Sequence, residues 1–306
     1  MSSRKGVFLV RIALVELASV DYLNVYAPIK MPRGIQLLAA ILEQSGHSVD
    51  CFAETVQKFK WSELTDYDMV GFRAISCTVR PTYAMIGRLK RAGYQGTIVV
   101  GGPHATALAY EALIAGADVV VRHEGDRTLP QLIGAIERKE GLEGVPGISW
   151  RKEGQTKHNP DQALLTEEEL SKLPLPAFRT IRGWQKMRQI SITFSRGCPF
   201  ACDFCAVEAM FGPKYRFAST DWRIAQLEAL RAQYPAIWQN CAIFFADDNF
   251  FGSRQGQAIT IKMLEQMITM DLIPPKGWFC QMRVTDASSA VTKLMKQAGC
   301  KMVCLG

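Results

Sequence analysis

The first half of the chain alternates short apolar runs with stretches in which apolar residues recur every three or four positions. Short apolar runs predict buried strands, and the recurring spacing predicts amphipathic helices. In the segment 34–44, for example, Ile35 and Leu38 fall on one helical face, and Gly46 marks the end of the helix. This alternation predicts a parallel sheet with helices packed on its faces.

The elements predicted in this half together indicate a doubly wound α/β domain. Strands are expected at residues 7–14, 48–53, 68–72, 97–100 and 118–121. Helices are expected at residues 34–44, 82–92, 106–115 and 128–139. A small hairpin around Gly154 is expected over residues 147–159.

The same alternation returns after a segment that contains Pro174 and Pro176. Because these prolines lack backbone donors and prevent a regular helix, they indicate a linker. We expect a first domain over residues 1–145, a hairpin and linker over 146–186, and a second α/β domain over 187–306. In the second domain, strands are expected at 190–194, 242–246, 278–282 and 302–305, and helices at 220–233, 255–270 and 287–297.

The second domain stops at its fourth predicted strand, and the sequence ends at Gly306. Parallel strands are normally covered on both faces and closed or capped at their edges. We therefore expect a partial, truncated barrel in a sequence that is a fragment of a longer protein. A partner chain that completes the barrel is the alternative.

Composition and charge exclude several classes of protein. Of the 306 residues, 48% are hydrophobic and 21% are charged, which argues against disorder. No apolar run approaches the roughly 18 residues of a membrane span, and the apolar stretch 7–15 is broken by Arg11 and lacks a cleavage site. The net charge of +7 comes from scattered basic residues, so we expect no nucleic-acid partner. A phosphate-bearing cofactor would use the same excess charge.

The nine cysteines are odd in number, unevenly spaced and not preceded by an export signal. These features favour reduced thiols over disulfides. Most of the cysteines lie in or beside apolar segments, where cysteine behaves as a small buried hydrophobe. This prediction covers Cys51, Cys77, Cys241, Cys280, Cys300 and Cys304.

The other three, Cys198, Cys202 and Cys205, form a CxxxCxxC motif directly after a predicted strand. Chance alone would produce this spacing about once in a hundred such sequences. Three thiolates can ligate three irons of a [4Fe-4S] cluster and leave the fourth iron open. Zinc is the main rival, but structural zinc prefers four ligands and no second CxxC or nearby histidine supplies the fourth.

The three cysteines, with the aromatic Phe204 before the last of them, resemble the signature of the radical S-adenosylmethionine superfamily. Segments 211–216, 245–250 and 298–306 resemble the cobalamin-dependent subgroup, in which a B12-binding domain precedes the radical domain. The resemblance covers nearly the whole chain. It implies a Rossmann-like cobalamin-binding domain followed by a partial radical S-adenosylmethionine (β/α) barrel.

The resemblance also implies a radical mechanism, in which S-adenosylmethionine bound to the open iron releases a 5′-deoxyadenosyl radical after one-electron reduction. By position, it implies S-adenosylmethionine contacts from Phe204, Asp247, Asp248 and Arg283. Ordinary structural roles are the alternatives. The aspartates would then be helix caps, and Arg283 a surface ion-pair partner.

Two loops follow predicted strands of the first domain, at 76–78 and 101–106. Doubly wound domains bind ligands at such strand ends, and the paired glycines at 101 and 102 permit close backbone approach. Ordinary turn chemistry explains glycines there equally well. A nicotinamide site is disfavoured, because no GxGxxG motif opens the first helix.

The resemblance implies that these loops surround the nucleotide tail of cobalamin. The implied contacts are Ser76, Thr78, Gly101, Gly102, His104, Thr106 and Glu124. The turn 123–126 departs from the Gly-Glu-Gly-Glu sequence usual in the family, and no DxHxxG motif is present. We therefore expect a cobalt without a histidine ligand from this domain, and a hydrogen-bonded loop histidine is the alternative role for His104.

Methyl transfer from methylcobalamin to an unactivated carbon is the activity that the resemblance favours. A radical cyclase or rearrangement enzyme, and a truncated non-catalytic binding module, are the alternatives. The substrate is expected to be an unidentified small or lipid-like molecule, and the electron donor a flavodoxin-like or ferredoxin-like protein. An exposed cluster also implies a reducing, cytoplasmic location.

Overall fold

The computed structural model describes residues 10–19, 31–32 and 34–306. These residues form two compact units. The first unit comprises residues 10–19, 34–163 and 176–182, and the second comprises residues 31–32, 164–175 and 183–306.

A seven-stranded sheet organises the first unit. Its strands are β1 (Arg11–Glu16), β2 (Ser48–Ala53), β3 (Met69–Arg73), β4 (Thr97–Gly101), β5 (Val119–Val121), β6 (Ile148–Lys152) and β7 (Gln155–His158). The strand order is β2-β1-β3-β4-β5-β6-β7. The first five strands pair in parallel, in an order typical of doubly wound folds. The predicted hairpin is confirmed as β6 and β7, and it extends the sheet by antiparallel pairing.

The helices of the first unit are α1 (Ile35–Gln44), α2 (Val79–Arg91), α3 (Pro103–Ala107), α4 (Ala109–Ile114) and α5 (Gly125–Glu137). The prediction of one helix over 106–115 is wrong. Pro103, well suited to a first helical position, starts α3 early, and Leu108 leaves the helical conformation with φ −129° and ψ 52°. Residues 7–9 of the first predicted strand lie outside the described residues, and β1 continues to Glu16.

The central strands of the first unit are buried along their length. Consecutive residues 12–15 of β1 and all of β5 have almost no exposed surface. Both faces of a strand are therefore covered, which is the environment of a parallel sheet between helix layers. The continuous apolar runs of the sequence reflect this two-sided burial.

The second unit contains a four-stranded parallel sheet in the order β13-β12-β11-β8. Its strands are β8 (Gln189–Ile192), β11 (Ala242–Phe245), β12 (Trp278–Met282) and β13 (Cys300–Leu305), and β9 (Ser195–Arg196) and β10 (Arg216–Phe217) form a separate antiparallel pair. The helices are α6 (Glu167–Leu170), α7 (Val207–Phe211), α8 (Thr220–Gln233), α9 (Pro235–Asn240), α10 (Arg254–Thr269) and α11 (Ser289–Gln297).

A cluster of aromatic side chains packs on the sheet of the second unit. The ring centroid of Phe245 lies 5.0 Å from that of Trp278, 5.1 Å from that of Phe194 and 5.6 Å from that of Phe250. All four side chains are almost fully buried. Rings of this size contribute much of the apolar area of a core. The strand ends that carry the candidate site are therefore packed against a buried aromatic cluster.

Candidate functional site

The CxxxCxxC motif lies on a loop that follows β8 and β9. Gly197 begins this loop with φ +87°, and a Cβ atom there would overlap the carbonyl oxygen of Lys214. The backbone N–H of Cys198 donates to the carbonyl of Gly212 at 3.3 Å, and that of Cys205 donates to Cys202 at 2.9 Å. The loop is therefore anchored at its base and closed by a turn at its end.

The three thiols of this loop are free and accessible. Cys198 is half-buried, Cys202 and Cys205 are exposed, and the neighbouring Phe204 is 93% exposed. In the described part of the chain, no three His, Cys, Asp or Glu side chains are gathered closely enough to hold a metal ion. The donor set fits an iron–sulfur cluster by its chemistry, number and accessibility, because cluster irons take thiolate ligands.

Tyr215 contacts the first of these thiols. Its Oη lies 3.6 Å from the Sγ of Cys198, and its ring stacks on Phe217 with centroids 5.5 Å apart. Burial, reinforced by Cys198, raises the pKa of Tyr215 above its ordinary value, so the phenol stays protonated. Sequence analysis missed this residue, because the contact depends on the pairing of β9 with β10.

Asp247 joins the ends of β8 and β11. Its Oδ1 accepts hydrogen bonds from the backbone N–H of Phe194 at 2.8 Å, from the hydroxyl of Ser195 at 2.7 Å and from the backbone N–H of Ser195. Its Oδ2 is buried and has no hydrogen-bond partner among the described residues. Burial raises the pKa of Asp247, and the charge of Arg223 opposes that shift. One carboxylate oxygen thus joins the two strand ends, and the other is a buried acceptor without a partner among the described residues.

A helix-capping role does not apply to these aspartates. The next long helix, α10, is capped instead by Ser253, whose side chain accepts from the backbone N–H of Gly256. Asp248 accepts a hydrogen bond from the backbone N–H of Gly197 at the base of the cysteine loop. Burial and the neighbouring Asp247 raise the pKa of Asp248 to about 7.

Asn249 is a further polar residue at this strand end that the sequence did not single out. Its Nδ2 donates to Asp286 at 3.1 Å, and its Oδ1 is buried without a partner in the described structure. The only sequence signal was its place directly after the two aspartates. The unpartnered Oδ2 of Asp247 and Oδ1 of Asn249 are both acceptors, so this strand end suits a ligand that carries N–H or O–H donors.

Arg283 follows β12 and stacks on the cysteine loop. Its guanidinium carbon lies 3.8 Å from the ring centroid of Phe200, which is close enough for a cation–π interaction. The structure therefore brings three of the four predicted S-adenosylmethionine residues, Asp247, Asp248 and Arg283, against the loop or its base. The fourth, Phe204, projects into solvent.

In the first unit, predicted cobalamin residues meet at the carboxyl ends of β3 and β4. The Oγ of Ser76 lies 3.1 Å from Nδ1 of His104, and Nε2 of His104 lies 3.3 Å from a carboxylate oxygen of Glu111. Both ring nitrogens of His104 therefore have partners in the chain, as expected of the alternative role as a hydrogen-bonded loop histidine. Thr78 is nearby but inward-facing, and its hydroxyl bonds the backbone of Ile75.

The loop after β4 is held close to its neighbours. Gly102 has φ +100°, and a Cβ atom there would lie 2.8 Å from the carbonyl oxygen of Ala74, so this position requires glycine. The hydroxyl of Thr106 accepts from the backbone N–H of His123 at 2.9 Å. Glu124 is buried at the start of α5, and Gly101 ends β4. The predicted residues thus share one edge of the sheet.

The remaining cysteines follow the prediction only in part. Cys51, Cys241 and Cys280 are buried, and Cys77 and Cys300 are half-buried. The prediction that Cys304 is buried is wrong. It lies on β13, which is an edge strand of the described sheet, so its side chain is exposed.

Comparison with known proteins identifies part of the chain directly, since residues 20–133 match the B12 binding domain family. An uncharacterized methyltransferase of Pyrococcus horikoshii is 27% identical over 288 residues, which are 90% of this chain and 60% of that protein. The hopanoid C-3 methylase of Methylococcus capsulatus is 27% identical over 289 residues, which are 90% of this chain and 53% of that protein. The chain thus spans little more than half the length of these relatives.

A solved structure shows the same fold. The radical S-adenosylmethionine methyltransferase TsrM of Kitasatospora setae, solved with tryptophan and a S-adenosylmethionine analog, superposes with a TM-score of 0.74 over 97% of this chain and 59% of that one, at 16% identity. A second structure of TsrM contains cobalamin and a [4Fe-4S] cluster. In the described part of this chain, no helix is long and apolar enough to cross a membrane. Residues 20–133 thus belong to the B12 binding domain family, and the chain shares the fold of the solved radical S-adenosylmethionine methyltransferase.

Proposed function

We propose that this chain is the cofactor-bearing part of an enzyme that transfers a methyl group to an unactivated carbon of a small or lipid-like substrate. The observation that carries the proposal is the loop with three free thiols at the end of a parallel sheet, in a chain that also has a B12-binding domain. The names of the methyltransferase and methylase relatives support methyl transfer.

Cys198, Cys202 and Cys205 would hold three irons of a [4Fe-4S] cluster and leave one iron open to S-adenosylmethionine. When bound, these cofactors supply a 5′-deoxyadenosyl radical, and cobalamin supplies the methyl group. Two of the three thiols are exposed, so the loop can close around a cluster without disturbing the core.

The strand ends beside the loop supply complementary contacts for S-adenosylmethionine. The ribose hydroxyls and amino group of that molecule are donors, and they match the unpartnered acceptors of Asp247 and Asn249. Asp248 adds a carboxyl group, and Arg283 can pair with the carboxylate of S-adenosylmethionine. Phe204, exposed at the loop tip, offers a ring surface to the adenine.

In the first unit, the edge that carries Ser76, Thr78, Gly101, Gly102, His104, Thr106 and Glu124 would hold cobalamin. Gly102 lets its loop pack closely against the backbone of Ala74, and the hydrogen bonds of Ser76 and Thr106 keep the loops in place. Both ring nitrogens of His104 already have partners, so we propose that no histidine from this edge ligates cobalt. A flavodoxin-like or ferredoxin-like donor and a cytoplasmic location complete the proposal.

Anaerobic reconstitution tests the cofactor assignment. We expect about four irons per chain, as a cubane cluster requires, and bound cobalamin with its base displaced from cobalt. Negligible iron with tight zinc binding would contradict the cluster. An unaltered base-on absorption spectrum would contradict the proposed coordination of cobalt.

The fate of the methyl group separates methyl transfer from the alternatives. With S-adenosylmethionine that carries a deuterated methyl group, the reconstituted chain should form labelled methylcobalamin, detected by mass spectrometry. Release of 5′-deoxyadenosine without labelled methylcobalamin would favour a radical cyclase or rearrangement. If the chain forms neither product, the result would indicate a binding module.

A further inference from the structure

The three proposed cluster ligands have different surroundings. Cys202 and Cys205 are exposed, whereas Cys198 is half-buried and has a phenol hydroxyl 3.6 Å from its sulfur. Hydrogen bonds to ligand sulfurs and solvent exposure are two of the factors that set the reduction potential of an iron–sulfur cluster. The contact between Tyr215 and Cys198 is therefore of the kind that tunes a cluster.

The Tyr215 ring is held firmly in place. It is 7% exposed, stacks on Phe217, and lies so close to Gly252 that a Cβ atom there would come within 2.8 Å of the ring. The Asn249 side chain also hydrogen-bonds Tyr215, which fixes the tip of the phenol. A rigid donor directs its hydrogen bond without an entropic cost for ordering.

The backbone fixes the sulfur end of the same contact. Arg196 pairs with Arg216 across β9 and β10, which places the chain before Cys198 beside the chain after Tyr215. The backbone N–H of Cys198 is bonded to Gly212, on the same connecting segment. The donor and the sulfur are thus held by two independent restraints, so the contact does not depend on the exposed half of the loop.

We propose that Tyr215 donates its O–H to the Cys198 sulfur and thereby raises the reduction potential of the cluster bound by this loop. The inference rests on the proposed function. One electron from an external low-potential donor, dithionite in the test below, adds negative charge that the ligand sulfurs share. The hydrogen bond stabilises this reduced form more than the oxidised one. The proton stays on Tyr215, and no covalent bond forms or breaks.

Potentiometric titration of the reconstituted chain, followed by electron paramagnetic resonance, tests the proposal. Tyr215→Phe keeps the ring and its stacking but removes the donor. We expect unchanged iron content and a midpoint potential shifted to a more negative value. We also expect the loss of one hyperfine coupling to an exchangeable proton, which is identified by comparing spectra recorded in H2O and in D2O. Tyr94→Phe is the control, since it removes a phenol that donates to Tyr67 in the first unit, and it should leave the potential unchanged.

Each outcome is decisive. An unchanged potential in a Tyr215→Phe protein with full iron content would overturn the proposal. Loss of iron from a folded Tyr215→Phe protein would also overturn it, because Tyr215 would then hold the loop rather than tune the cluster. Absence of a cluster in the wild-type chain would instead count against the proposed function, so the two failures are distinguishable.

Discussion

The carboxyl ends of the parallel strands in the two units differ in how many of their polar side chains are hydrogen-bonded within the chain. In the first unit, Ser76, His104 and Glu111 bond one another, and Thr106 holds the loop that follows β5. In the second unit, thiols and an aromatic ring project into solvent, and buried acceptors of Asp247 and Asn249 lack partners among the described residues. Both edges end parallel strands, yet only in the first do the predicted site residues hydrogen-bond one another.

The two proposed cofactor sites thus differ in how many of their polar groups are already hydrogen-bonded. Since unpaired buried acceptors cost free energy, the edge of the second unit gains most when a ligand supplies donors. In the first unit, Ser76, His104 and Thr106 are already hydrogen-bonded within the chain, so we expect a ligand there to meet a preformed surface. We expect changes in the second unit to act mainly on cofactor binding, and changes in the first to act mainly on stability.

The largest expected effect comes from the cysteine loop. Cys202→Ala should abolish the cluster, because a ligand is lost. Cys280→Ala, the matched change at a buried thiol, should leave iron content intact and lower the free energy of unfolding by about 1–2 kcal/mol. Iron analysis and urea unfolding measure the two effects. Equal loss of iron from both variants would show that the ligands are misassigned.

A strong pH effect is expected at Asp248, whose pKa is raised to about 7 by burial and by Asp247. The folded state binds this proton more tightly than the unfolded state, whose aspartate pKa is about 3.9. Stability without ligand should therefore fall as pH rises from about 4 to 7, by up to about 4 kcal/mol. Asp248→Asn should lack this fall in urea titrations. Parallel pH profiles for the two proteins would contradict the assignment.

A smaller effect is expected in the first unit at Gly102. Alanine there would combine φ +100° with a Cβ only 2.8 Å from a backbone oxygen, so Gly102→Ala should cost about 2–3 kcal/mol and weaken cobalamin binding. Gly93→Ala is the control, because its φ is +76° but nothing lies within 4 Å, and it should cost about 1 kcal/mol. Equal costs in thermal or urea unfolding would mean that the turn tolerates a side chain.

The smallest expected effect concerns one hydrogen bond at the sheet edge of the first unit. Thr106→Val removes the acceptor for the backbone N–H of His123 while keeping the shape of the side chain. The expected loss is about 1 kcal/mol in the free energy of unfolding. Thr65→Val, at an exposed threonine whose hydroxyl donates to the carbonyl of Ser62, is the control and should change stability less. Equal changes in the free energy of unfolding of the two variants would contradict the view that side-chain hydrogen bonds hold this edge.

The sequence predicted what depends on local pattern. The helix Thr220–Gln233 and the strand Trp278–Met282 have the predicted bounds, since their apolar spacing reports burial directly. The cysteine motif was also predicted from local pattern, because its three cysteines are close in sequence. The break between α3 and α4 was missed, because the apolar pattern runs through Leu108.

Contacts between distant segments could not be predicted in this way. Tyr215 meets Cys198 through the pairing of two short strands. Arg283, after β12, meets Phe200 on the loop that follows β8, although β11 lies between these two strands in the sheet. Burial at sheet edges is also set by topology, which is why Cys304 is exposed although its segment is apolar. Periodicity fixes which residues face inward, but not which strand neighbours which.

We propose that the loop 198–205 assembles a radical-generating site. Anaerobic incubation of the reconstituted chain with dithionite and S-adenosylmethionine, with 5′-deoxyadenosine quantified by mass spectrometry, measures whether the radical forms. We expect release of 5′-deoxyadenosine from the wild-type chain and none from Cys202→Ala. A wild-type chain that holds its cluster but releases no more 5′-deoxyadenosine than Cys202→Ala would contradict the claim and would leave a binding module.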